Sequence, residues 1–150
     1  MADTSAQVKA EKWVRQFGLT ERYGKHFEKR VMRLRGNGEF SFDAVSEDGE
    51  IVACISTSGG MTTGGKKATA KLLKIRSDVL WFYMLPKMPT KALLVFTDEQ
   101  FMKLVMAERE KGRFPTEFEL ITVKLPDELA KAVAESQQNA SREVMPNRID

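Results

Sequence analysis

The chain has 150 residues, 42% of them hydrophobic and 30% charged, the composition of an ordinary globular domain large enough to bury a core without covalent staples. One cysteine, Cys54, excludes an intramolecular disulfide and a zinc site built from several cysteines, and one histidine, His26, excludes a histidine-rich metal site. A net charge of +3 names no partner by itself.

The start, MADTSAQVKAEK, has no apolar core of the kind a signal peptide needs. The longest apolar run, Val79–Leu85, is far too short to span a bilayer. The expectation is a soluble, cytoplasmic protein with no membrane partner, folded as a single domain over 1–150. Within it, 1–18 forms an N-terminal helix, 19–97 the core, 98–141 a further helix–strand–helix, and 142–150 a frayed polar tail.

In chain order, Val8, Trp13, Val14 and Phe17 predict a helix over Ser5–Phe17 that Gly18 stops. Thr20, as N-cap, opens a second helix to about Arg33, with Tyr23, Phe27 and Val31 inward, and Gly36-Asn37-Gly38 breaks it. Asp48-Gly49 between two strand-like runs predicts a hairpin over Phe40–Ser56. A two-residue loop there sets Val45 opposite Val52 and Asp43 opposite Cys54. Alternation then places Phe40, Phe42, Ala44, Ala53 and Ile55 on a core-facing side. Ser41, Asp43, Val45, Val52, Cys54 and Ser56 share the other, mixed side, with Asp43 at its centre.

A glycine- and threonine-rich loop, Ser58–Ala68, follows the hairpin. A helix from about Thr69 to Met84 is ended by Pro86, and its apolar second half, Val79–Leu85, reads as buried all round. Lys91–Thr97 (KALLVFT) has the continuous apolar pattern of a central strand covered on both faces. Thr97 or Asp98 caps a helix to about Lys111, stopped by Gly112. Phe118–Leu125 alternates as a strand, and Pro126-Asp127 opens a last amphipathic helix. This order predicts an α/β fold, a mixed sheet of about four strands flanked by helices.

Charge is concentrated locally. Lys25, Lys29, Arg30, Arg33 and Arg35 form one basic segment, and Lys66, Lys67, Lys71, Lys74 and Arg76 a second. They flank the strand that carries Asp43, an arrangement able to hold a polyanion beside it or simply to solvate two helix faces. Gly60–Lys67 approaches the phosphate-binding G-x-x-x-x-G-K-[ST] pattern, but Lys67 stands where the magnesium-binding hydroxyl belongs. Its amides lead into a helix N-terminus and suit some other phosphate. His26 reads as a solvated helix-surface residue, and Cys54 as a small buried apolar one with no base beside it.

Phe42-Asp43-Ala44, set in a helix–hairpin–helix–strand order from about Thr20 to Thr97, resembles the core of the PD-(D/E)XK, or restriction-endonuclease-like, nucleases. In that family an aspartate on the first hairpin strand and an acid-x-lysine on the second hold a divalent metal and assist a water nucleophile. Cys54-Ile55-Ser56 occupies the acid-x-lysine positions here, and members of the family relocate these residues. The resemblance therefore implies a Mg2+-dependent hydrolase acting on DNA or RNA. Asp43 is its metal ligand and Asp43, Lys66 and Lys67 its catalytic residues. Lys66, Lys67, Lys71 and Lys74 contact nucleic acid, and Glu28 on the first core helix is a second metal ligand. The alternative is a catalytically inactive nuclease-fold domain that binds nucleic acid or a protein partner, a second copy of itself included.

Overall fold

The computed structural model describes residues 5–59 and 66–144, with side chains through 59 and from 69 to 138. The chain folds as an α/β protein whose mixed sheet has five strands in the order β1-β2-β3-β4-β5. These are β1 (Phe27–Arg33), β2 (Glu39–Ser46), β3 (Ile51–Ser56), β4 (Lys91–Phe96) and β5 (Glu119–Thr122). The helices are α1 (Ser5–Trp13), α2 (Leu19–Tyr23), α3 (Lys66–Tyr83), α4 (Glu99–Glu110) and α5 (Asp127–Val144). β1, β2 and β3 are an antiparallel meander, whereas β4 and β5 run parallel to β3 and are reached through the crossover helices α3 and α4.

Both sheet faces are buried. On one, α3 and α4 pack Ile75, Phe82, Phe101 and Val105 over Phe42, Leu94 and Phe96. On the other, Val14, Leu19 and Val133 cover Ala53, Leu93 and Val95. β4 lies between them with Ala92 through Phe96 all buried, as its unbroken apolar run predicts. Asp98 caps α4 by accepting the Gln100 N–H at 2.8 Å.

The fifth strand comes from the segment expected to be a second helix. Gly18 does not end the first helix: it keeps right-handed helical dihedrals within a π-helical turn, Val14–Gly18, that joins α1 to α2. Its missing side chain serves close packing, since a Cβ there would stand 2.5 Å from Val123 Cγ1. The actual stop is Gly24, left-handed at φ 66°, whose N–H bonds the Thr20 carbonyl at 2.8 Å. Thr20 thus lies inside α2 rather than capping it, with a buried hydroxyl that has no hydrogen-bond partner among the described residues. Phe27 and Val31 mimic helical spacing, but β1 pairs with β2, and Val31 is 57% exposed.

The hairpin keeps its predicted register, Val45 opposite Val52 and Ala44 opposite Ala53. Its faces differ from strict alternation because β2 is bulged. The β1 register shifts from Glu28↔Val45 to Arg30↔Phe42, which leaves Asp43 and Ala44 together opposite Lys29. Phe42 and Val45 therefore share the α3 side, while Ala44 joins the α1 side. Three smaller differences remain. Leu80 is 54% exposed, so α3 is not buried all round. β5 spans only Glu119–Thr122, and α5 continues to Val144, beyond the predicted end at Ser141.

Candidate functional site

The bulge places Asp43 where β2 leaves β3. Past Ala44↔Ala53 the ladder gives way, and the Asp43 carboxylate takes over: its Oδ2 accepts the Ile55 N–H at 2.8 Å. Beside it lies a cavity of about 350 Å³ at the C-terminal end of β3, the usual position for a ligand in an open α/β sheet. Glu11 and Asp43 line one part of it, Ser56 and Thr57 the end of β3, and Lys71 and Lys74 the α3 wall.

Asp43 is held against its own chemistry. Burial pushes its carboxyl up to about 6, reinforced by the negative charges of Glu11 and Asp78 and opposed by the Ile55 N–H and by Lys74. Asp78, on the buried side of α3, is raised for the same reason of burial, offset by Lys74, whose Nζ is 3.8 Å from its Oδ1. The surroundings carry both signs, with Lys74 near Asp78 and Arg15 and Lys29 near Glu11. Among the described residues Asp43 has no ion-pair partner within 4 Å.

Glu11 is the carboxylate that α1 contributes. Its Oε2 receives Arg15 Nη1 at 3.0 Å and lies 4.0 Å from Lys29 Nζ, and the side chain is 26% exposed. The same Arg15 Nη1 donates to the Asp43 main-chain oxygen at 2.9 Å. Across the cavity, Lys71 donates to the Gly59 carbonyl, and Gln137 Nε2 of α5 donates to the Thr57 carbonyl at 2.8 Å. A Cβ on Gly59 would come 3.0 Å from Asp98 Oδ2 and 3.3 Å from Gln137 Oε1, so the chain passes close to these two side-chain ends where it meets the start of α4.

The expected residues divide. Asp43, Lys71 and Lys74 meet at the cavity. Glu28 does not: it lies on β1 instead of a helix, and its exposed carboxylate bonds His26 Nε2 at 3.1 Å. Glu11, from α1, lines the cavity instead. Its sequence signal was available, since it adjoins the buried Ala10–Val14 stripe and pairs with Arg15 four residues on. Lys66 and Lys67 open α3 with side chains outside the described residues, and Gly60–Gly65 of the phosphate-loop pattern lies outside them altogether. His26 precedes β1 and is exposed, though not on a helix. Cys54 is 4% exposed, and burial pushes its thiol well above its ordinary value, so it has no thiolate character.

The basic segments are dispersed. Lys25 pairs with Asp48 and Glu50 at the hairpin turn, Arg35 bonds the Tyr83 carbonyl at the end of α3, and Arg76 pairs with Glu108 at 2.7 Å. That leaves Lys71 and Lys74 from the second segment at the cavity, with Lys29 reaching toward Glu11.

Metal chemistry can be tested against this donor set. Asp43 and Glu11 each have one oxygen fixed by a donor, and among the described residues Asp43 Oδ1 and Glu11 Oε1 carry no hydrogen bond. No group of three His, Cys, Asp or Glu suited to a metal ion occurs among the described residues. Two carboxylates do not make an all-protein cage. Mg2+ is commonly held by one or two carboxylates with substrate phosphate and water completing six ligands, so a site of this kind would draw on Asp43 Oδ1 and Glu11 Oε1. No described helix is long and apolar enough to cross a membrane. No family model, no curated protein and no solved structure matches the chain.

Proposed function

We propose that the protein is a metal-dependent nuclease-like enzyme of restriction-endonuclease-like type, acting on DNA or RNA phosphodiesters. The observation that carries this reading is that the partly buried Asp43 carboxylate, Glu11, Lys71 and Lys74 line one cavity at the end of β3. The order of elements supports it, with one strand more than expected: helix, β1, hairpin, helix, strand. The resemblance asks for an acid on the first hairpin strand, where Asp43 stands, and Glu11 of the N-terminal helix α1 is taken here as its second carboxylate in place of Glu28.

In this reading Asp43 and Glu11 together hold Mg2+, which supplies charge to polarise a water and a phosphate oxygen. Asp43 is aimed by the Ile55 N–H, and Glu11 by Arg15. Lys74, whose side chain is 76% exposed, is placed to meet phosphate charge from the α3 wall. Lys66 and Lys67, at the start of the same helix, add contacts to the backbone of the bound strand. The hydroxyls of Ser56 and Thr57 offer neutral donors where the family has its lysine.

A second reading, a nuclease fold that binds nucleic acid without cutting it, is favoured by the absence of a third acidic ligand among the described residues. Incubation of labelled DNA and RNA with Mg2+ or Mn2+ separates the two. Cleavage lost in Asp43→Ala supports the enzyme. No cleavage with any divalent ion, with binding that weakens as salt rises, supports the binding module. No binding at low salt removes both and leaves a protein partner.

A further inference from the structure

The two carboxylates come from different elements, Glu11 from a helix and Asp43 from a bulged strand, packed together through Ala10, Val14 and Ala44. One group joins them. Arg15 Nη1 donates to Glu11 Oε2 at 3.0 Å and to the Asp43 main-chain oxygen at 2.9 Å, and its side chain is only 14% exposed. The acceptor on β2 is the carbonyl of the bulged residue, and an extra residue in a bulge lies outside the regular ladder. Arg15 thus satisfies that carbonyl and, from the same nitrogen, the helix carboxylate.

We infer that Arg15 is a positioning residue that ties the Glu11 side chain to the Asp43 main chain at the edge of the cavity. The inference rests on the proposed metal-binding role of those carboxylates. Arg15 lies in the π-helical turn Val14–Gly18, a feature frequent at functional sites because its extra residue re-aims side chains. There it sits one turn beyond Glu11 with its side chain directed at the sheet, while its neighbour Val14 enters the core at 0% exposure. A fixed guanidinium beside a cation site repels the cation, so its removal lowers that repulsion while it frees the two acceptors Arg15 holds.

That conflict of signs gives the test. Mn2+ binding to the metal-free protein is measured by electron paramagnetic resonance for wild type, Arg15→Ala, Arg15→Lys and Val14→Ala, with folding checked by circular dichroism. Val14→Ala loosens the same turn while leaving both hydrogen bonds. A positioning role predicts Mn2+ affinity at least about tenfold weaker in Arg15→Ala, intermediate in Arg15→Lys, and near wild type in Val14→Ala. Unchanged or tighter binding in Arg15→Ala overturns the inference but leaves the metal site standing. Equal losses in Arg15→Lys and Val14→Ala reduce Arg15 to a structural role and overturn it as well, and they decide the matter if Arg15→Ala does not fold. Wild-type protein that binds no Mn2+ overturns both the inference and the metal reading beneath it.

Discussion

Replacing Asp43 by asparagine should stabilise the protein at neutral pH and leave it nearly unchanged in acid. The native carboxyl sits at about 6 against an ordinary 3.8, chiefly because it is buried. The native state therefore holds its proton more tightly than the unfolded chain, and wild-type stability falls as pH rises from about 4 through 6. Above that window the penalty is complete, on the order of 3 kcal/mol at ~1.4 kcal/mol per pH unit. Asparagine removes the charge, yet its amide oxygen can still accept the Ile55 N–H, in a weaker neutral bond that offsets part of the gain. The net expectation is about 1–3 kcal/mol of stabilisation at about pH 7.5 and close to zero at about pH 4. Urea unfolding of both proteins at the two pH values, in metal-free buffer, measures it. A variant less stable than wild type at neutral pH, or a difference independent of pH, refutes the idea that Asp43 is kept ionised at a cost to the fold.

Two further outcomes follow from the same geometry. Lys74→Ala, on an exposed side chain at the cavity wall, should weaken nucleic-acid binding uniformly across sequences and reduce the slope of log affinity against log salt by about one. A fluorescence-anisotropy titration at several salt concentrations reads both effects, and an unchanged slope removes Lys74 from the phosphate contacts. Phe82→Ala should cost about 3–5 kcal/mol in chemical denaturation, because Phe82 is 0% exposed and packs its ring 5.1 Å from those of Phe42 and Phe118. A loss below about 1 kcal/mol would mean that the α3 face of the sheet is not the main core.

Local signals carried most of the architecture into the sequence. Asp48-Gly49 fixed the hairpin register, Asp98 and Gly112 bounded α4, and KALLVF announced a strand buried on both faces. The errors share a cause, since each involved a residue whose role is set by a distant neighbour. Gly18 looks like a stop but is small because Val123 presses on it. Phe27 and Val31 keep helical spacing, yet β2 claims the segment as an edge strand. The bulge at Asp43–Ala44 has no glycine to mark it, so the alternation argument assigned Phe42 and Ala44 to one face when they serve opposite cores. The site was half legible for the same reason. Asp43 stands out as the acid set between Phe42 and Ala44. Glu11 lies among Lys9 and Lys12 on a short charged helix, and only the docking of α1 over the bulge makes it Asp43's partner.

The choice between Glu11 and Glu28 as that partner bears most directly on the proposed site. Cleavage rates of a labelled oligonucleotide in Mg2+ should be compared for wild type, Glu11→Gln and Glu28→Gln. The account predicts a loss of at least about a hundredfold in Glu11→Gln, as expected when a metal-holding carboxylate is removed, and a rate within about twofold of wild type in Glu28→Gln. A full rate in Glu11→Gln, or a loss confined to Glu28→Gln, would contradict it.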